Sequence, residues 1–259
     1  MPTRIGARFE KLKAEGRKGF VGFVTAGDPS LERTVEIALA MDTAGVDILE
    51  LGVPFSDPLA DGPVIQRSSQ RALDRGVTLK DVLGVVRQIR RRSEIPIVLF
   101  SYYNPLLRYG LERLAVDARE AGVDGSLVTD LPPEEAAEWL KVARERDLDT
   151  VFLAAPTSPP ERLRGVAEAS RGFVYAVSRT GVTGEREAIS DDASPLVANL
   201  KKQAALPVAL GFGISRPDQV KAAAQVADAV VVGTTLVKFI EEQPDGDVAE
   251  KVRWLKGGM

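Results

Sequence analysis

The sequence predicts an α/β protein, a single (β/α)₈ TIM barrel with an N-terminal extra helix, and three observations lead there. The chain has 259 residues, close to the roughly 250 that one such barrel uses. Short β-branched runs alternate with amphipathic helical stretches from end to end, with Gly, Pro or Asp at most switches, as in a parallel sheet with helical crossovers. The runs number eight, which favours a closed barrel over an open sheet. One domain covering residues 1–259 is expected, with no linker and no repeat beyond the strand-helix unit.

Taken in order, Ile5, Phe9 and Leu12 recur at helical spacing beside Glu10 and Glu15, so the N-terminus reads as a lead-in helix and not a targeting signal. The strand runs are Phe20 to Thr25, Asp47 to Leu51, Ile97 to Phe100, Gly125 to Val128, Thr150 to Leu153, Phe173 to Val177, Pro207 to Leu210 and Ala229 to Val232. Between them, Leu31 to Ala44, Glu134 to Arg146 and Arg216 to Ala224 carry apolar residues three and four apart, as helices do. Two connections exceed ordinary loop length, Gly52 to Asp61 and Ser178 to about Asp191. Long loops at the carboxyl ends of barrel strands are where such folds place substrate contacts and lids.

Composition removes several chemistries. Net charge is −3 and the basic residues are scattered, which gives no footprint for nucleic acid or an anionic membrane, and no apolar run is long enough to span a bilayer. A small-molecule substrate is the expected partner. The chain has no Cys, hence no disulfide or thiolate, which fits a cytoplasmic location. It also has no His, which excludes Ser-His-Asp and Cys-His schemes and imidazole-bound zinc. No metal site is expected, and proton transfer falls to Asp, Glu, Tyr or Lys. Every lysine lies outside the strand runs, which weakens an imine mechanism. Any carbon-carbon cleavage then has to place its electrons in the substrate itself.

Two constellations remain. In VDILELGVPF, Glu50 shares a strand face with Ile48, so it lies either inside the barrel or beneath the helices. Both places are poorly hydrated, and a carboxyl there is either paired structurally or raised in pKa as a proton shuttle requires. Its place at a strand end favours the shuttle, and Asp61 follows in the long loop SDPLADGP, whereas Asp57 reads as a turn residue. The second is a set of late glycines, Gly184, Gly211, Gly213 and Gly233, the last followed by Thr234. Glycine loops and helix N-termini cradle phosphate with backbone N–H groups, although each glycine alone would serve a tight turn.

The segments FVTAGDP (23–29), ELGVPFSDPLADGPVIQ (50–66), SYYNP (101–105), DLPPEE (130–135), APTSPPERL (155–163), GFVYAVSRTGVTG (172–184) and GFGIS (211–215) resemble, in order, the α subunit of tryptophan synthase. The resemblance implies a lyase cleaving indole-3-glycerol phosphate to indole and glyceraldehyde 3-phosphate, in which the indole ring, protonated on carbon, accepts the electrons. It implies that Glu50 moves protons and Asp61 holds the indole N–H. Tyr175 would contact substrate near the glutamate, and Gly184, Gly213, Gly233 and Thr234 would bind phosphate. Thr183 would meet Asp61 as the two long loops close. Phe23, Phe100, Leu127, Thr129, Leu153, Phe212 and Val231 would line the indole pocket.

The chain departs from the family's usual residues at Gly22, Phe100, Ser101, Thr129 and Thr234, of which Phe100 and Thr129 alter the inferred indole pocket. The resemblance further implies an α₂β₂ assembly with a β subunit that carries pyridoxal phosphate (PLP), this chain needing no cofactor. Pro54, Phe55, Asp57, Asn104, Pro105 and Pro132 match loops near that contact. Three alternatives stay open: a stand-alone lyase served by the same residues, a mainly allosteric and weakly active subunit, and another phosphate-binding barrel. Intact Glu50 and Asp61 disfavour the second, and the ELGVPFSDPLADGP loop disfavours the third.

Overall fold

A computed structural model describes residues 3–177, 193–211 and 213–259. The elements begin with helix α1 (Arg4–Ala14), strand β1 (Gly19–Thr25), α2 (Leu31–Thr43) and β2 (Ile48–Gly52). Next come α3 (Pro63–Asp74), α4 (Leu79–Arg90), β3 (Ile97–Ser101), α5 (Tyr103–Tyr109), α6 (Leu111–Ala121), β4 (Gly125–Val128) and α7 (Ala137–Glu145). After them follow β5 (Asp149–Val151), β6 (Leu153–Ala154), α8 (Pro160–Ala169), β7 (Val174–Val177), α9 (Ala193–Gln203) and β8 (Val208–Gly211). The chain finishes with α10 (Pro217–Val226), β9 (Ala229–Val232), α11 (Thr234–Glu242) and α12 (Val248–Lys256).

All strand pairs are parallel, in the order β5-β4-β3-β2-β1-β9-β8-β7-β6. The two edge strands β5 and β6 are separated only by Phe152, so they are halves of one stave and the sheet closes on itself. Hydrogen bonds from Arg171 N to Thr150 O (2.8 Å) and from Tyr175 N to Phe152 O (3.1 Å) carry the ladder past the break. The run expected over Thr150 to Leu153 is therefore two short strands, and the fold is the expected TIM barrel. The helix expected over Glu134 to Arg146 also divides, into a 3₁₀ turn at Pro133–Glu135 and α7. Pro132 and Pro133 fix φ and supply no N–H donor, which favours a tight turn before the helix proper.

Strand residues are buried on both faces, which is why the strands read as nearly continuous apolar runs. Alternate residues point into the barrel, where Val21, Ile48, Val98, Leu127, Val151, Phe173 and Val231 pack together. The others meet the helices. The lead-in helix forms as expected and closes the barrel floor with Ile5, Phe9 and Leu12, the Phe9 and Phe173 rings lying 5.8 Å apart. Asp47, Asp124 and Asp228 pin neighbouring strands by accepting N–H groups from Phe20 (2.9 Å), Ile97 (2.8 Å) and Val208 (3.0 Å). Arg4 and Arg90 balance the buried Asp124 charge.

Close strand packing makes two strand glycines unequal. A Cβ at Gly125 would lie 2.8 Å from the backbone oxygen of Asp149, whereas one at Gly22 would meet chiefly the terminal methyl of Met41, which can swing away. Gly125→Ala is expected to destabilise the fold by roughly 1–3 kcal/mol, and Gly22→Ala by less than about 1 kcal/mol, in denaturant unfolding. Equal losses would show that backbone proximity does not govern these positions.

Candidate active site

The upper mouth of the barrel is a narrow cleft with room for only about 30 Å³. Its walls are Phe23, Glu50, Ile65, Phe100, Tyr175, Gly213, Ile214, Val231, Gly233 and Thr234. Of the two positions open to Glu50 from strand alternation, the structure places it inside the barrel. β2 pairs with β1 and β3 so that Glu50 stands level with Phe23 and Val98, and its side chain faces the interior. The residue is 1% exposed, and its Oε1 has no hydrogen-bond partner among the described residues. Burial alone raises its pKa to about 8, because a carboxylate loses its hydration there and gains no cation in return.

Asp61 lies in the segment between β2 and α3 and is also buried. Gln66 on α3 donates to the Asp61 carbonyl at 2.8 Å, fixing the backbone that carries the carboxyl. Asp61 Oδ2 accepts from the Tyr102 hydroxyl at 3.1 Å, and Oδ1 has no partner among the described residues. Burial raises its pKa to about 6, against a lowering contribution from Tyr102. At neutral pH Glu50 is thus mainly protonated and Asp61 mainly ionised: one acid and one anion in the same dry site.

Tyr175 lies near both carboxyls. Burial and the nearby Glu50 and Asp61 hold its hydroxyl well above the usual phenol range, so it stays a neutral hydrogen-bonding group. Its hydroxyl packs directly on the α-carbon side of Gly211, where any Cβ would collide with it. Gly52 plays the same part for Phe23, since a Cβ there would sit 2.6 Å from the tip of the ring. Phe23 in turn meets Phe100 edge to face, with ring centroids 5.1 Å apart. Gly233, packed against Phe23, caps α11 and Thr234 opens it, so the positive helix end borders the cleft. Gly213 takes φ +80°, a conformation open to glycine at little strain.

Not every expected residue converges on this cleft. Leu127 is fully buried in the barrel interior, and Thr129 and Leu153 line an adjoining hollow together with Ala60, Phe152 and Val177. Thr183, Gly184 and Phe212 lie outside the described residues. The sequence reading missed Ile65, Ile214 and Tyr102. Ile65 and Ile214 sit inside the ELGVPFSDPLADGPVIQ and GFGIS segments, and Tyr102 inside SYYNP, but apolar and aromatic residues carry no chemical signal of their own there.

The buried Glu50 couples stability to pH. Its folded pKa is raised, so its contribution is fully present below the unfolded value of 4.5 and is lost as pH climbs through about 8. Glu50→Gln is therefore expected to gain stability relative to the parent, progressively from pH 5 to pH 9, by on the order of a few kcal/mol at the upper end. Denaturant unfolding across that range checks this, and a pH-independent difference would refute an uncompensated buried carboxyl.

Comparison with known proteins agrees with this geometry. A family model described as tryptophan synthase alpha chain matches residues 9–256. The tryptophan synthase alpha chain of Solibacter usitatus is 50% identical over 248 residues, covering 96% of this chain and 93% of the relative. That of Geobacter sulfurreducens is 51% identical over 250 residues, covering 96% and 95%. Among solved structures, Mycobacterium tuberculosis tryptophan synthase superposes with TM-score 0.93 at 40% identity, covering 100% of this chain and 98% of the other. The Legionella pneumophila alpha subunit gives TM-score 0.91 at 35% identity, covering 100% and 98%. From the closed barrel, the paired carboxyls in its mouth and the near full-length similarity it follows that the chain belongs to the tryptophan synthase alpha chain family.

Proposed function

We propose that Glu50 and Asp61 divide the chemistry of this cleft, Glu50 moving protons and Asp61 holding the indole ring. The chain is a lyase of tryptophan biosynthesis that cleaves indole-3-glycerol phosphate to indole and glyceraldehyde 3-phosphate. The observation that carries the assignment is a pair of buried carboxyls, each with an oxygen unpartnered among the described residues, of which only Asp61 receives a phenol hydrogen bond; burial raises Glu50 to about 8 and Asp61, against Tyr102, to about 6. Protonated Glu50 gives its proton to the indole carbon bearing the glycerol chain, and Asp61 balances the positive charge that develops on the ring by accepting from the N–H. The Glu50 carboxylate then takes the proton of the adjacent glycerol hydroxyl. The carbon-carbon bond breaks, its electron pair returns to the ring, and the former alcohol carbon becomes the aldehyde. Glu50 ends protonated, as it began.

Phe23, Phe100, Ile65 and Val231 form the apolar wall against which the indole would lie, and Tyr175 would meet the reacting glycerol segment beside Glu50. The backbone at Gly213 after β8, and at Gly233 and Thr234 at the start of α11, suits the phosphate, whose charge the helix end favours. This step requires no cofactor, and PLP would belong to the partner. That partner would be a β subunit in an α₂β₂ assembly within the cytoplasm. Leu59 is 86% exposed and Leu107 48% exposed, beside the loops of Pro54, Phe55, Asp57, Asn104, Pro105 and Pro132 that the family resemblance assigns to the contact.

Indole release from indole-3-glycerol phosphate tests the roles directly. For the parent chain, kcat/KM is expected to rise through about pH 6 and fall through about pH 8. Glu50→Gln is expected to lose at least roughly 100-fold in kcat, since the other described carboxyl near the cleft, Asp61, is assigned to the ring nitrogen and leaves no group to move the protons. Near-parental turnover would remove Glu50 from the mechanism. Adding a β subunit is expected to stimulate the reaction, and undiminished turnover without one would favour the stand-alone lyase.

A further inference from the structure

Tyr102 follows β3 directly, on the strand next to the one that carries Glu50. Its ring is buried against Phe55, with centroids 5.2 Å apart, and its hydroxyl makes two contacts with the neighbouring loop. The phenol oxygen accepts the Ala60 N–H at 3.0 Å, and the phenol proton goes to Asp61 Oδ2 at 3.1 Å. One side chain from the rigid barrel thus holds both the backbone before Asp61 and one of its two carboxylate oxygens. The other oxygen, Oδ1, is buried and unpartnered among the described residues, and is the one left for a ligand.

From this geometry we propose that Tyr102 is a positioning residue that presents Asp61 Oδ1 to the substrate and, through Oδ2, sets the acidity of that carboxyl. The proposal rests on the assignment of Asp61 to the indole nitrogen. A neutral phenol suits this role, because burial and the adjacent Asp61 keep it protonated, so it donates throughout the working pH range. Among the described residues, the other titratable groups near Asp61 are Glu50 on β2 and Tyr175 on β7, both neutral at pH 7. Arg67 and Arg71 on α3 are engaged with Asp28 and Glu241. The phenol is therefore the described group that stabilises the Asp61 anion, and its loss removes that stabilisation.

The test is the pH dependence of kcat/KM for indole-3-glycerol phosphate in the parent, Tyr102→Phe, Asp61→Asn and the double variant. Tyr102→Phe keeps the ring against Phe55, so folding is retained, and circular dichroism with denaturant unfolding verifies it. The acid limb should move to higher pH and kcat/KM at pH 7 should fall on the order of tenfold. In the Asp61→Asn background the same change should cost little further, because the phenol acts through that carboxylate. An unmoved acid limb in Tyr102→Phe, or a loss that simply adds to that of Asp61→Asn, would overturn the positioning role. Near-parental activity of Asp61→Asn alone would instead refute the role of Asp61.

Discussion

Glu50 is a carboxyl group inside an apolar barrel, with no cation beside it and one oxygen without a partner among the described residues. Such a group is tolerated only because it takes up a proton, and that proton is the reagent the reaction needs. Everything around the site preserves this condition. Phe23, Phe100, Ile65 and Val231 keep water from the carboxyl, and the α1 residues Ile5, Phe9 and Leu12 close the floor below it. Had an arginine stood beside Glu50, the carboxyl would be ionised and unable to act as an acid at neutral pH. The barrel supplies cations instead near its lower rim, where Arg4 and Arg90 meet Asp124, and Arg8 meets Asp47.

The second carboxyl shows how environment separates two chemically similar groups. Asp61 is nearly as buried as Glu50, yet a phenol donates to it, and its pKa settles lower. The two then stand on opposite sides of neutrality, as acid and as anion, without a histidine to tune them. Glycines fix the groups around them. Gly211 admits the hydroxyl of Tyr175 and Gly52 admits the ring of Phe23, so both side chains are set by backbone contact. Beside Phe23, α11 begins with Gly233 and Thr234 and brings its positive end to the cleft, and no lysine or arginine is among the described residues lining it.

Most of the fold was legible in the sequence, because strands buried on both faces must be β-branched and apolar throughout, and Gly, Pro and Asp end them visibly. The break at Phe152 was not, since TVFLAA reads as one continuous run and only the closure of the ladder interrupts it. Alternation limited Glu50 to two environments, and barrel closure decided between them. The resemblance grouped Leu127, Thr129 and Leu153 with the cleft residues, but the structure seats them at other places, in the interior and in the adjoining hollow. Shared strand faces do not specify height along the barrel axis. Tyr102 was illegible for a related reason: SYYNP offers two adjacent tyrosines, and only the packing of β3 against the Asp61 loop shows which one reaches across.

The central claim is that Glu50 rests protonated in the free chain. It is tested most directly by ¹³C NMR of protein labelled at the glutamate carboxyl carbon and titrated without substrate, with Glu50→Gln identifying the resonance. One glutamate signal is predicted to titrate at about 8 and to vanish in the variant. A Glu50 signal that titrates near its ordinary value of 4.5 would contradict the account.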